Sequence, residues 1–556
     1  MNKKIALGLL VASMVLATAC SNGAKNSGAA QTNTSKAPTS ASTDQTATAD
    51  PFGKYQDPVT VGIAYSVDPS FKSTKGETLE NNAWKKALKD ELNVEFKINW
   101  QTSKENFDQK MNLSIASNDL PDVAVVNQTQ LTQMVKGGQL QDLTEVFNQY
   151  ASPAVKKIID STNGLALKQV TFDGKMMAVP NVSAEDYNFM WIRKDWLDKL
   201  GLEVPKTVED VEKVAKAFVE QDPDGNGRKD TIGIASGTTL YNDFTGGPAG
   251  FDLTPIFSAF NAYPGYVVKG ADGQPVYGST LPETKTALAK LRDMYANGLL
   301  DKEIGIRKAA EETVISGKAG MFFLGFYGGY WPLPTAWAND PTADWQAYAV
   351  PLDAQGKYNV KVTNPSNGFL VVRKGYEHPE APIKINNLYL RDESINGNDF
   401  MLARNFFAPL DEIGFEYKAL QEVLAGTKKP EDYADKTEYK LLKNSLETIK
   451  NAKKEPYDKL DIQYWNQKDK DFMRAYSVMV GAKNHFDPNL NKVESLSYMR
   501  TKTMEKRWTN LTKLENQAFL KIIMGSAPID SFDQFVKDWN KQGGEQILKE
   551  LSETIN

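Results

Sequence analysis

Residues 172–205 read FDGKMMAVPNVSAEDYNFMWIRKDWLDKLGLEVP, and the order of elements within them decides the fold. An apolar run, Met176–Val179, ends at Pro180, which has no N–H to give to a ladder and holds the residue before it extended. A second apolar run spans Phe189–Ile192. Lys194–Leu200 then carries Trp196, Leu197 and Leu200 on one helical side, with Gly201 as the stop. Thr207 stands as the N-cap of a further helix over Val208–Glu220. The stretch is strand, bend, strand, helix: a chain leaving one core and entering another.

The aromatic strand followed by Arg193-Lys194-Asp195-Trp196-Leu197-Asp198-Lys199-Leu200-Gly201-Leu202, then Val204-Pro205-Lys206-Thr207, resembles one family closely. It is similar to the first inter-lobe crossing of extracellular solute-binding proteins of the maltose-binding type. Within that family it resembles the large Gram-positive lipoproteins that deliver saccharides to ABC importers. The resemblance implies an α/β fold: a two-lobe, periplasmic-binding-protein-like architecture with mainly parallel sheets, hinge strands and a ligand cleft between the lobes. It implies a first lobe over 57–180 plus about 363–415 and a second over 181–362 plus about 416–556. It also makes Tyr187, inside the crossing, a candidate ligand contact.

Composition agrees with that size and excludes several chemistries. A chain of 556 residues exceeds what one core holds, so two or more lobes are expected. With 65 Lys+Arg against 70 Asp+Glu there is no basic excess for nucleic acid. One Cys and two His leave almost no material for thiol or histidine-triad catalysis, or for a His/Cys zinc site.

Met1–Ala19 has a basic start at Lys3 and Lys4 and an apolar run too short for a membrane span, and reads as a signal peptide. Ala17-Thr18-Ala19-Cys20 resembles the bacterial lipobox, which implies cleavage before Cys20 and a lipid on it. Leu16 stands one place further from the Cys than the family's usual leucine. Residues 20–56 then form a lipidated Cys and a disordered tether, rich in Ser, Thr, Ala and Asn and too poor in large apolar residues to order itself. The expected location is the outer face of a Gram-positive cell membrane, held there through the N-terminal lipid only, with the protein monomeric.

Strands at Val59–Ile63, Val94–Trp100 and Val123–Val126 alternate with helices over Leu79–Glu91 and from Phe107. That is βαβ patterning and a parallel sheet, whose ligands bind beyond the C-terminal strand ends. Tyr65, Trp100, Asn127 and Gln128 fall there. Further on, Gly320–Gly325 reads as a buried strand running into Phe326-Tyr327-Gly328-Gly329-Tyr330-Trp331. In the family the corresponding loop touches ligand, which makes Tyr327 and Trp331 candidates for stacking on sugar rings. Trp465 lies where relatives have cleft-lining residues.

Asp222-Pro223-Asp224-Gly225-Asn226-Gly227-Arg228-Lys229-Asp230 sets oxygen side chains at alternate positions, with Gly at the sixth place and the Arg228 carbonyl at the seventh. This is the first part of an EF-hand-type Ca2+ loop; the twelfth position is Gly233 instead of the closing Glu. It also resembles the calcium loop of alginate-oligosaccharide-binding relatives, where an acidic residue stands in the place of Thr231. The expected role is a structural clamp with Asp222, Asp224, Asn226, Arg228 and Asp230 as ligands.

Gly368–Val372 reads as the crossing back, His378–Leu388 as a packing helix with a surface histidine, Lys418–Lys454 as a charged helical stretch, and Ser531 as the N-cap of a helix carrying Phe532, Phe535 and Trp539. Two rivals remain to the importer receptor that binds an oligosaccharide by hinge closure and hands it to permease subunits. One is a peptide or signal receptor on the same scaffold. The other is a lipoprotein glycosidase or lyase, which needs only two carboxylates in a cleft.

Overall fold

The computed structural model of the protein describes residues 49–67, 77–79, 81–103, 106–245, 250–391, 407–451 and 470–555. Two sheets carry this part of the chain. The first has five strands in the order Val94–Ser103, Val59–Val67, Val123–Val126, Phe369–Val372, Val179–Pro180. The second has four, in the order Trp345–Tyr348, Phe189–Arg193, Ala319–Leu324, Ile232–Ile234.

The sheets are mixed. Val59–Val67 runs parallel to both its neighbours, as the βαβ pattern requires, and Ala319–Leu324 runs parallel to Ile232–Ile234. Phe369–Val372 is antiparallel to both of its neighbours, and so is Phe189–Arg193 to both of its own. The expectation of mainly parallel sheets therefore holds only for the parallel core of each. The physical reason is connectivity. Consecutive parallel strands need a crossover helix between them, whereas the chain enters Phe189–Arg193 and Phe369–Val372 through extended segments with no helix before them. Pro180 sits in the edge strand, where its missing N–H costs no ladder bond.

Each sheet has its own apolar core. Val61, Ile63, Trp84, Leu131, Leu370 and Leu388 pack around the first. Met190, Trp196, Phe218, Met321, Phe519 and Trp539 pack around the second. A third cluster lies under the aromatic loop, where Phe326 meets Leu420, Leu446 and Met479. Fully burying one such large side chain contributes roughly 1.5–3 kcal/mol, so these clusters set the stability of the fold.

Local signals acted largely as expected. The helix Lys194–Leu200 stops at Gly201, which takes φ 62°, a left-handed conformation open to glycine. Thr207 and Asp210 form a reciprocal capping box at the start of Val208–Glu220. Three expectations need correcting. The helix expected from Leu79 begins at Ala83, because Asn82 caps it by accepting from the Lys85 N–H at 2.9 Å. Ser531 is not an N-cap; its hydroxyl donates back to the Pro528 carbonyl at 2.6 Å, and Asp530 holds the cap position. The charged stretch after Lys418 is two helices, Glu412–Leu424 and Leu442–Lys450, parted by Gly426 at φ 71° and a 3-10 turn at Pro430–Tyr433. Their apolar faces are buried, which the density of charge had obscured. No helix among the described residues is long and apolar enough to cross a membrane.

One buried carboxyl holds part of the second core together. Glu515 is fully buried and accepts from the hydroxyls of Tyr277 (2.8 Å), Tyr241 and Ser279. Burial outweighs those three donors and pushes the carboxyl up to about 7. The folded chain thus keeps this proton to higher pH than the unfolded chain does. Its stabilising contribution is full below the unfolded value of 4.5 and is lost as pH rises through about 7. Glu515→Gln should remove that dependence. In urea titrations the variant should gain on the parent by roughly 2–3 kcal/mol between pH 5 and pH 8, and parallel curves would refute the assignment.

Candidate functional site

Three segments pass side by side between the two sheets: 181–185, 363–368 and 407–410. Asn181 ties the first two. Its Oδ1 accepts from the backbone N–H of Asn367 and Gly368, both at 2.9 Å, and its Nδ2 donates to Asn367 Oδ1 at 2.9 Å. Its backbone N–H donates to Gly368 O at 2.8 Å, and its carbonyl accepts from the Ser366 hydroxyl at 2.6 Å. The third segment joins through Ala408 N–H to Val182 O at 2.9 Å and Glu185 N–H to Leu410 O at 2.9 Å. Sequence reasoning placed the return crossing at Gly368–Val372, but Phe369–Val372 is already a strand of the first sheet; the crossing is the polar run just before it. The expected lobe bounds put a third crossing near 415–416; the segment that lies beside Val182 is 407–410. These residues carry no periodicity, and only Pro409 marks an extended chain.

On the first-sheet side, Asn127 follows a C-terminal strand end, but its side chain is committed to capping the helix Gln128–Lys136, accepting from Gln130 N–H at 3.0 Å. Gln128 Nε2 reaches the Gln169 carbonyl at 3.4 Å, and its Oε1 is buried with no partner among the described residues. Gln169 in turn donates to Asn364 Oδ1 at 2.7 Å, which links this strand end to the second crossing. Trp100 lies within its strand rather than beyond it, paired with Ala64; its ring packs on Phe107 at 5.4 Å, with the Lys110 ammonium 5.9 Å from its centre.

On the second-sheet side, the loop after Ala319–Leu324 presents Tyr327 and Trp331 with ring centres 6.4 Å apart and planes 24° from parallel. Trp331 is 42% exposed and Tyr330 is 38% exposed, two of the few large apolar groups in the described chain that face solvent. Phe251 supports Trp331 edge-on at 5.6 Å. The loop is held from below by Asp186, whose Oδ1 accepts from the N–H of Tyr187 (2.8 Å) and Phe326 (3.3 Å) and lies 3.3 Å from His485 Nε2. Gly325 must be glycine, because a Cβ there would lie 2.0 Å from Asp186 Oδ2. Tyr187 itself is only 2% exposed. Its ring packs on His485 at 5.0 Å and on Phe189 at 6.3 Å, so in this conformation it offers no face to a ligand. Trp465 and Cys20 lie outside the described residues.

A cavity of about 760 Å3 opens between the helix Leu165–Val170 on one wall and 494–502 with Glu550 on the other. None of the predicted ligand contacts lines it; Gln169, Tyr498 and Arg500 do. Beside it Arg500 spans from one core to the other, with Nη1 donating to Thr129 Oγ1 at 2.9 Å and Nη2 to Thr245 Oγ1 at 3.4 Å. Lys136 and Glu505 form an ion pair at 3.1 Å along the same seam. The segment 494–500 has neither helical nor strand periodicity, so nothing in the sequence singled it out.

In the acidic loop Asp222, Asp224, Asn226 and Asp230 are linked by hydrogen bonds. Asn226 Nδ2 donates to Asp224 Oδ2 at 2.7 Å and to Asp230 Oδ1 at 3.1 Å, while Asp222 Oδ2 accepts from Gly227 N–H at 3.0 Å. The Arg228 N–H donates to Asn226 Oδ1 at 2.7 Å. The Asp222 and Asp224 carboxyls are close enough to interact. Burial, then that interaction, raises Asp224, and the same interaction lowers Asp222. Two carboxyls in contact share a proton or need a cation between them, so the donor set fits a hard divalent ion. The hydroxyl of Thr231 is buried without a partner among the described residues. Among the described residues no group of three or more His, Cys, Asp or Glu, this loop included, is drawn together closely enough to hold a metal ion.

Sheets joined by three crossing segments, with an aromatic loop at the end of a buried strand, define a two-lobed binding protein. Residues 72–388 match the model of bacterial extracellular solute-binding proteins, and the chain belongs to that family. It is thereby a binding protein and not an enzyme. It is 22% identical to lipoprotein LipO of Bacillus subtilis over 88% of this chain and 91% of that one. It is 24% identical to the polygalacturonan/rhamnogalacturonan-binding protein YtcQ of the same organism, over 83% and 86%. Over 37% of this chain and 39% of the relative it is 33% identical to the fructooligosaccharide ABC transporter substrate-binding protein FusA of Streptococcus pneumoniae. Among solved structures the fold matches the alginate-binding protein AlgQ2 without calcium ion, with a TM-score of 0.59 at 17% identity over 90% of this chain and 98% of that one. It matches FusA in complex with kestose with a TM-score of 0.58 at 19% identity, over 89% and 98%.

Asn181 carries the join between the sheets. Asn181→Ala should cost roughly 2–3 kcal/mol, because it leaves the N–H groups of Asn367 and Gly368 without their acceptor. A urea midpoint unchanged from the parent would show that the crossing is held by other contacts.

Proposed function

We propose that the protein is the oligosaccharide receptor of an ABC importer, closing its two lobes on the sugar and presenting the closed form to permease subunits. The observation that carries this is the pair of half-buried Tyr327 and exposed Trp331, stacked nearly parallel in the loop after a buried strand and beside the crossings. Flat aromatic faces suit the apolar C–H face of a pyranose, and a hinge lets contacts from both lobes form only on closure. The names of FusA and YtcQ, both saccharide binders, agree with this reading.

The finer assignments belong to the same proposal. The first lobe comprises 57–180 and about 363–415, and the second 181–362 and about 416–556. Trp100, Gln128, Tyr327, Trp331 and Trp465 face the sugar. Asn127 contributes through its backbone position, and Tyr187 only if closure or opening uncovers it. The precursor carries a signal peptide over 1–19 and a lipid on Cys20, and 20–56 tether the monomeric head to the outer face of the cell membrane, as the lipoprotein relative LipO suggests. Asp222, Asp224, Asn226, Asp230 and the carbonyl of Arg228 hold a structural Ca2+, in line with an EF-hand mutant of FusA and a calcium-free form of AlgQ2 having been studied. When bound, the ion supplies the positive charge that the paired carboxyls lack; the chain's own part is to keep five oxygens on one tight turn.

A thermal-shift series tests both halves. Saturating oligosaccharide of the right class should stabilise the protein by a few kcal/mol, with no cleavage products, while peptides leave the midpoint unchanged. Trp331→Ala should leave the sugar-free midpoint within about 0.5 kcal/mol, as for an exposed side chain, yet weaken sugar binding by roughly 1–2 kcal/mol. A peptide response would replace the ligand class, and new products would replace the receptor by an enzyme. Chelator should lower the midpoint of the parent and not that of Asp222→Asn/Asp224→Asn; an unchanged parent would remove calcium from the account.

A further inference from the structure

Arg500 is one of two half-buried arginines of the described chain with no carboxylate directly bonded; the other, Arg292, donates to the Ala527 carbonyl at 3.1 Å. Arg193 pairs with Asp195 at 2.5 Å and Asp340 at 3.0 Å. Arg474 pairs with Glu416 at 2.6 Å and Glu412 at 3.5 Å. Arg307 is held by Asp301 and Glu303, and Arg373 by Asp122 at 2.6 Å. Arg500 instead meets two neutral hydroxyls, Thr129 at 2.9 Å and Thr245 at 3.4 Å, and its Nε is buried with no acceptor among the described residues.

The nearby acids are already committed. Asp243 lies one hydroxyl away and accepts from Thr245 and from the Trp508 indole N–H at 2.8 Å. Glu505 pairs with Lys136. Glu550 accepts from the Thr503 N–H at 3.0 Å and hydroxyl at 2.7 Å, which with its other donors holds it down at about 2. An arginine in a partly buried seam whose direct partners are hydroxyls, with the nearest carboxylate one hydroxyl away, has donors left for an anion that can reach it directly. Its position is where a ligand would supply one. Thr129 follows the C-terminal end of Val123–Val126, Thr245 lies in the loop after Ile232–Ile234, and Arg500 lines the 760 Å3 cavity between the two cores, of the size of small-molecule sites. Lys168 and Lys502 line the same cavity, as do Glu494, Glu550 and Glu553, so its charged lining is mixed and Arg500 is the arginine in it.

We propose that Arg500 is the specificity-determining residue for an acidic sugar: the bound oligosaccharide carries a carboxylate, as in a uronic acid, and Arg500 receives it. This rests on the saccharide-receptor reading above. The planar guanidinium matches a carboxylate with two parallel N–H donors, and the threonine hydroxyls are weak enough partners to yield to it. The contact also explains how one sugar group is sensed from both sides, since Thr129 and Thr245 come from different cores.

The test is calorimetric titration of the protein with oligogalacturonides and oligomannuronates, against neutral oligosaccharides matched in length, using the parent, Arg500→Gln and Arg500→Lys. The parent should bind an acidic oligomer at least 10-fold more tightly than its neutral counterpart, with affinity falling as salt rises. Arg500→Gln should bring that ratio to about one by weakening acidic ligands only, and Arg500→Lys should keep part of it. The thermal midpoint of each variant without ligand reports folding separately. Equal weakening of acidic and neutral ligands would mean that Arg500 only latches the two cores, and would overturn the proposal. So would tight neutral binding indifferent to Arg500→Gln, which leaves the receptor reading intact. Absence of binding by any saccharide would sink the receptor reading itself.

Discussion

The hydrogen bonds around Asn181 are the constraint on which the rest of the architecture depends. Two sheets with separate cores share no ladder; what relates them is a bundle of polar crossings. A buried side-chain amide that offers one acceptor to two backbone N–H groups, and one donor to a neighbouring amide, satisfies strands where no sheet continues. Such a join is stiff along the strands and soft about them. That is the mechanical property a closing cleft needs, and it arises from replacing ladder bonds with side-chain bonds.

From that join the second sheet receives its first strand, and through Asp186 the same segment reaches the aromatic loop. One carboxylate accepts from Tyr187 and Phe326 and lies beside His485, so the crossing and the loop move as one body. Gly325 makes that approach feasible. The rings of half-buried Tyr327 and exposed Trp331 are thus mounted on the hinge side of the second core and not on a free loop. Preorganisation of this kind reduces the conformational entropy a ligand must overcome.

Charge is arranged with equal economy. Most enclosed arginines are neutralised by carboxylates within the fold, the Asp222–Asp230 loop gathers acids around an amide, and Glu515 is held by three hydroxyls. Against that background the Asp222–Asp224 contact and Arg500 stand out among the described residues as charge without a directly bonded opposite partner.

Much of this was legible in residues 172–205. The strand ending at Pro180, the helix stopped by Gly201 and the cap at Thr207 are local events, decided by φ preferences and hydrogen bonds a few residues apart, and they appear where the sequence places them. The acidic loop is equally local. Strand direction, the partners of the 407–410 segment, the burial of Tyr187 and the partners of Arg500 were not legible. Each depends on which distant segment lies alongside: Trp331 is exposed and Tyr187 is not, though both sit in aromatic loops near the crossings. The commitment of Asn127 to a helix cap was the intermediate case, since its partner Gln130 is close in sequence but the choice between cap and ligand contact is made by the helix that forms. What the chain determined by itself was its elements and their punctuation, because those rest on near-neighbour sterics. What the tertiary structure decided was which polar groups are left unpaired, because that is a balance over residues hundreds of positions apart.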